Sequence, residues 1–95
     1  MIQLTIQVSG DDPRIVRTPT AEAIDIGRSN DNSVCIPDSR ISGHHAVINQ
    51  RKGSYWYRDL QSTNGSLHLR GDTKTIVDGE GTVDVCLAHG DVLFL

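Results

Sequence analysis

The sequence predicts an all-β protein, an antiparallel β-sandwich, and three observations carry that prediction. Ile2, Leu4, Ile6 and Val8 alternate with Gln3, Thr5, Gln7 and Ser9, the period of two that turns one face of a strand to a core and the other to water. Short apolar pieces then recur at even spacing with Gly and Asp between them, the pattern of an antiparallel sandwich or barrel. No stretch holds apolar residues at i, i+3, i+4 and i+7 for the ten or so residues that a helix needs.

The elements follow in order. After the first strand, Gly10-Asp11-Asp12-Pro13 is a turn by composition. Strand-like pieces come next at Ile15-Val16, Ala23 to Ile26, Val34 to Ile36, His45 to Asn49 and Tyr55 to Leu60. Ser66 to Leu69, Thr75 to Val77, Thr82 to Leu87 and Val92 to Leu95 complete the series. The tight separators are Arg51-Lys52-Gly53-Ser54, Arg70-Gly71-Asp72, Asp78-Gly79-Glu80-Gly81 and His89-Gly90-Asp91. There is no internal repeat, low-complexity tract or linker, so residues 1–95 read as one domain. A folded monomer of this size exposes roughly 5,400 Å², which suits one thin core between two layers.

Composition narrows the class. Hydrophobic residues at 37% and charged residues at 22% fit a soluble folded chain. No apolar run approaches ~18 residues, so no membrane span is expected. The first eight residues have neither a basic nor an apolar leader region, and the expectation is a cytoplasmic domain. Net charge is −3. Residues 1–60 carry seven Lys/Arg against seven Asp/Glu, while residues 61–95 carry Arg70 and Lys74 against five acids. Nucleic-acid binders carry a basic stripe that neutralises many phosphates; none is present, and no nucleic-acid partner is expected. Cys35 and Cys86 have the choice of pairing or of standing as small thiols on strands, and without a secretory leader the second is favoured.

Three loops depart from the short turns: Arg28 to Ser33, Pro37 to Gly43, and Gln61-Ser62-Thr63-Asn64-Gly65. Functional loops on a sandwich gather at one end of the sheets. Arg, Ser, Thr and Asn concentrated there suit an anion, because a guanidinium fork, hydroxyls and loop N–H groups are all donors.

These loops carry a recognisable set. Ile26-Gly27-Arg28, Ile41-Ser42-Gly43-His44-His45-Ala46, Asp59-Leu60-Gln61-Ser62-Thr63-Asn64-Gly65 and Leu87-Ala88-His89-Gly90-Asp91 resemble, in order and spacing across about residues 24–91, a forkhead-associated (FHA) domain. The resemblance implies an eleven-stranded SMAD/FHA-like sandwich that binds a phosphothreonine-containing protein or peptide through loops at one end. Carried over position by position, Arg28 and Ser42 would bind phosphate oxygens, and Thr63 would add a hydroxyl or a backbone donor. Asn64 would bond the peptide backbone, while Gly27, His45 and Gly65 would shape the site without touching ligand. The segment ahead of the Ser commonly reads the third residue after the phosphothreonine; Arg40 stands there and implies a preference for Asp or Glu. The position after the Ser is often Arg, Lys or Asn and bears on specificity and affinity; here it is Gly43, which leaves only a backbone N–H.

The resemblance also implies one more strand after the Gly-Asp turn, so the last strand is expected to be missing at Leu95. The first strand would then lack a neighbour, and an uncovered edge beside residues 2–8 invites self-association. With a strand starting two residues from Met1, the domain is expected at the start of a longer protein. The competing reading is a phospho-independent structural or assembly module with a weakened phosphate site, supported by Gly43 and the missing last strand.

Catalytic and metal readings find less support. Ser42, His45 and Asp59 suggest a triad, but no Gly-x-Ser-x-Gly elbow is present, and the expectation is that the chain is not an enzyme. Neither Gly-rich nucleotide loop occurs, and no cofactor is expected. Cys86-Leu87-Ala88-His89 is half of a zinc site at best, and no metal is expected.

Overall fold

The structure, a computed structural model, describes residues 2–8, 14–17, 23–63, 65–78 and 84–95. Among them are ten strands: β1 (Gln3–Gln7), β2 (Arg14–Arg17), β3 (Ala23–Gly27), β4 (Val34–Cys35), β5 (Ala46–Arg51), β6 (Ser54–Asp59), β7 (Ser66–Arg70), β8 (Thr73–Val77), β9 (Val85–Leu87) and β10 (Val92–Phe94). They form two five-stranded sheets, in the orders β2-β1-β10-β7-β8 and β4-β3-β5-β6-β9. Each strand falls on an apolar piece read from the sequence, and the accessible surface of 5577 Å² matches that of a single small domain.

Alternation explains the packing. Leu4, Ile6 and Val8 of the first strand turn inward, as do Ile24 and Ile26 of β3, Ala46 and Ile48 of β5, and Tyr55 and Tyr57 of β6. Leu87, Leu93 and Val77 close the core from the later strands, and Ile36 and Ile41 anchor the loop between β4 and β5. Burial of these side chains is the main favourable term in holding the sheets together.

One hairpin shows turn chemistry at work. The β5–β6 register pairs Arg51 with Ser54, leaving Lys52 (φ 51°) and Gly53 (φ 80°) as a two-residue loop. Positive φ at both positions is the type I′ turn whose twist suits a hairpin.

The sandwich departs from the expectation in two respects. It is not wholly antiparallel, because β1 runs parallel to β10 and β3 parallel to β4. Nor is the first strand uncovered. Thr5 pairs with Ile15 of β2 on one side and with Val92 of β10 on the other, and Leu95 N–H donates to the carbonyl of Gln7. The edge expected beside residues 2–8 is therefore occupied within the chain, because β10 itself takes the place beside β1. The two cysteines are free; Cys35 lies on β4 and Cys86 on β9, at opposite edges of one sheet, too far apart for a disulfide.

Candidate functional site

Backbone hydrogen bonds draw the three long loops together at one end of the sandwich. Where β3 ends, Arg28 N–H donates to the carbonyl of Ser42 (3.0 Å) and Ser29 N–H to that of Gly43 (3.1 Å). Asn32 fastens the same junction, its Nδ2 donating to the carbonyls of Gly43 and Ser29, both at 2.8 Å. Gly27 permits this approach, since a Cβ there would overlap the Gly43 carbonyl oxygen.

The second loop is shaped by Asp38. Its Oδ1 accepts from the backbone N–H of Arg40 (2.8 Å), and its carbonyl accepts from Ile41 N–H (3.0 Å). The turn buries Ile41 and leaves Arg40 exposed, with Ser42 half-buried. Arg40 is not an idle cation, because Nε and Nη2 grip the two oxygens of Asp38 at 2.9 and 2.7 Å. Hydrogen bonds from that guanidinium, then from the Arg40 N–H, hold the Asp38 carboxyl far below the usual range.

His45 joins the second and third loops. Fully buried, it accepts at Nδ1 from Ser42 N–H (3.2 Å), so its ring proton lies on Nε2, which donates to the carbonyl of Gly65 (3.0 Å). Gly65 has φ 71°, the left-handed region open to glycine. Asp59 organises the same loop from beneath. Its Oδ1 accepts from Ser62 N–H, and its Oδ2 from the hydroxyls of Ser62 and Ser66, each at 2.7 Å. Tyr57 donates its hydroxyl to Ser66 (2.6 Å), and burial pushes its phenol well above the usual range.

The result is a small cavity of about 140 Å³ lined by Arg28, Ser39, Arg40, Ile41, Ser42 and Thr63. Thr63 N–H donates to Ser42 Oγ (3.1 Å), which leaves the Ser42 hydroxyl proton directed elsewhere. Thr63's backbone donor is thereby used inside the protein, and Thr63 lines the cavity. Arg40, Arg51, Arg58 and Arg70 each pair with an aspartate. Arg28 has no ion-pair partner among the described residues. Arg28, Ser42 and Thr63 thus meet in one place, with Arg40 on the rim and Gly27, Gly43, His45 and Gly65 in its frame. Asn64 lies outside the described residues.

A triad is not assembled. His45 Nδ1 is taken by the Ser42 N–H rather than its hydroxyl, Nε2 is taken by Gly65, and Asp59 stands 3.7 Å from Nε2. His89 likewise accepts at Nδ1 from Gln3 N–H (3.1 Å), so it serves the junction of β1 with the Gly-Asp turn. Asp91 closes that turn, accepting from Ala88 N–H, His68 and Arg70. Sequence reasoning missed Asn32 and the turn-forming role of Asp38. The run Asn30-Asp31-Asn32 signals a side-chain-capped loop, but not which carbonyl it would hold.

The FHA domain family model matches residues 24–95. The chain belongs to the FHA domain family. The FHA domain matches the ABC transporter ATP-binding/permease protein Rv1747 of Mycobacterium tuberculosis with 36% identity over 74 residues, 72% of this chain and 9% of that protein. Mycobacterium tuberculosis EmbR, solved in complex with a low-affinity phosphopeptide, superposes with a TM-score of 0.65 at 26% identity, over 96% of this chain and 21% of that one. An FHA domain solved in a study of phosphothreonine-dependent interactions superposes with a TM-score of 0.61 at 25% identity, over 90% of this chain and 76% of that one. The chain therefore spans about a tenth of the length of the curated relatives it matches.

Proposed function

We propose that this FHA domain is a phosphothreonine-dependent interaction module that recruits a phosphorylated protein, with Arg28, Ser42 and Thr63 on the phosphate. The observation that carries the reading is the convergence of these three residues on one cavity, with Arg28 in no ion pair among the described residues. A phosphothreonine brings about −1.5 to −2 charges and three acceptor oxygens. The Arg28 guanidinium and two hydroxyls offer donors to match, each hydrogen bond to the charged group contributing roughly 1.5–3 kcal/mol. Asn64, next in sequence to Thr63, bonds the ligand backbone, and Arg40 on the rim reads a residue further along.

Relatives support this reading, since EmbR is bound to a phosphopeptide and another FHA neighbour has phosphothreonine-dependent interactions. The domain works by binding rather than catalysis, in the cytoplasm and as part of a larger polypeptide. A structural role through an open edge at residues 2–8 finds less support, because β1 is paired on both sides.

The test is fluorescence anisotropy with degenerate phosphothreonine, phosphoserine and unphosphorylated peptide libraries. Binding that requires phosphothreonine and disappears in Arg28→Ala is the expected result. Equal binding of the unphosphorylated library by a folded sample would overturn the proposal.

A further inference from the structure

Thr63 is a ridge between two cavities, and the second carries an inference that rests on the phosphothreonine reading above. Across Thr63 from the phosphate cavity lies a larger space of about 310 Å³, walled by Gln61, Ser62, Gly65, Ser66, Ile76 and Asp78. The two sides have opposite electrostatic character. Arg28 and Arg40 line the first, whereas Asp78 is the only ionisable residue among the described walls of the second.

The floor of the second cavity is unusual. Ile76 lies on β8, the last strand of its sheet, and is 73% exposed. Pairing of Ser66 with Val77 sets the end of β8 beside the start of β7. A Cβ on Gly65 would lie 3.8 Å from that of Asp78, so Asp78 stands against the loop that carries Thr63. An exposed apolar side chain next to a carboxylate suits a long amphipathic side chain, with an aliphatic stem on Ile76 and a cationic head at Asp78.

We propose that this cavity is a second ligand subsite, which takes a Lys or Arg of the same phosphopeptide on the side of the phosphothreonine away from Arg40. The resemblance to FHA domains sets the residues after the phosphothreonine against Arg40, so the basic residue precedes it. The bound segment is then dipolar, cationic before the phosphate and anionic at and after it, and opposite charges across the Thr63 ridge fix its direction as well as its identity.

The experiment titrates phosphothreonine peptides by fluorescence anisotropy, each with Arg, Ala or Glu at one of the four positions before the phosphothreonine. The proteins are wild type, Asp78→Asn, Ile76→Lys and Arg28→Ala. At one position the Arg peptide binds wild type about fivefold more tightly than the Glu peptide, the scale of one exposed charge pair. The ratio falls to near one in Asp78→Asn and inverts in Ile76→Lys, while the all-alanine peptide binds both variants as it binds wild type. Both residues are exposed, and unchanged melting temperatures verify that the variants fold. Equal affinity for Arg and Glu at all four positions, or a ratio that survives both substitutions, overturns the subsite. The phosphate reading then still stands on the all-alanine peptide and its loss in Arg28→Ala. A wild-type protein that binds none of the phosphopeptides overturns both.

Discussion

Gly27 packs its bare Cα against the carbonyl of Gly43, so that a methyl group on Gly27 would overlap that oxygen and stand 2.9 Å from Nδ2 of Asn32. The Gly43 carbonyl has no room to retreat, because it accepts from Ser29 N–H and from Asn32 at the same time. Gly27 is therefore required for its lack of a side chain and not for its backbone angle. Gly27→Ala destabilises the domain by about 2 kcal/mol, the cost of forcing a methyl group into a closed space. Thermal melting should show a drop of ~10 °C for a chain of this length. Because Arg28 follows directly, phosphopeptide affinity falls in the same variant even below its melting transition.

His45 holds two loops with one ring. Replacing it with Ala leaves the Ser42 N–H and the Gly65 carbonyl without their partner and opens a buried space. Unsatisfied buried groups cost about 1–3 kcal/mol each, so His45→Ala should lose about 3 kcal/mol in urea unfolding. Tyr57→Phe is the control, removing one buried hydrogen bond to Ser66 at a cost of about 1 kcal/mol and leaving affinity unchanged. Equal loss of affinity in both variants would count against a specific role for His45.

Much of this arrangement was legible in the chain because local rules agree with the fold. Period-two alternation in residues 2–8, the Lys52-Gly53 turn and the apolar pieces all placed strands correctly, since each of those signals acts over a few residues. Pairing between distant segments was not legible. Nothing local tells β10 to lie parallel to β1, and the expected open edge followed from counting strands rather than pairing them. The site residues were visible as motifs, but their wiring was not. Thr63 allowed two roles, and only the bond from its N–H to Ser42 Oγ separates them. The wall formed by Ile76 and Asp78 was missed altogether, because it arises from a hairpin register and has no motif.

Acid should loosen the domain through Asp91. Burial by itself would raise this carboxyl, but hydrogen bonds from Arg70, His68 and Ala88 N–H outweigh it and hold it at about 2. The unfolded carboxyl titrates near 3.9, so the folded state binds the proton more weakly. The resulting stability of about 2 kcal/mol is fully present above pH ~4 and disappears as pH falls towards ~2. Urea unfolding across that window should show the decline in wild type and a shallower one in Asp91→Asn, which has already lost the charge.

Gly43 leaves a gap that can be filled. Its φ is not in the left-handed region, and among the described residues a Cβ would meet only Ser29 Oγ, at 3.0 Å, a contact that a rotation of the serine relieves. Gly43→Lys places a cation beside Ser42 at the mouth of the phosphate cavity. One added charge-assisted contact of about 1.5 kcal/mol tightens phosphopeptide binding about tenfold. The unphosphorylated peptide should gain nothing, and an equal gain for both would mean that the lysine attracts the peptide without touching the phosphate.

Selectivity for an acidic residue after the phosphothreonine depends on Asp38 as much as on Arg40. In the free protein both oxygens of Asp38 hold the Arg40 guanidinium, so an acidic ligand residue competes with a carboxylate already in place. Asp38→Asn removes the competing charge and retains Oδ1 as an acceptor for the Arg40 N–H, so the turn that presents Ser42 is preserved. The affinity ratio between peptides with Asp and with Ala at the third residue after the phosphothreonine should therefore rise about threefold in Asp38→Asn, the scale of an exposed ion pair. In Arg40→Ala the ratio should fall to one. A ratio identical in wild type and Asp38→Asn would mean that Arg40 stays clear of the ligand.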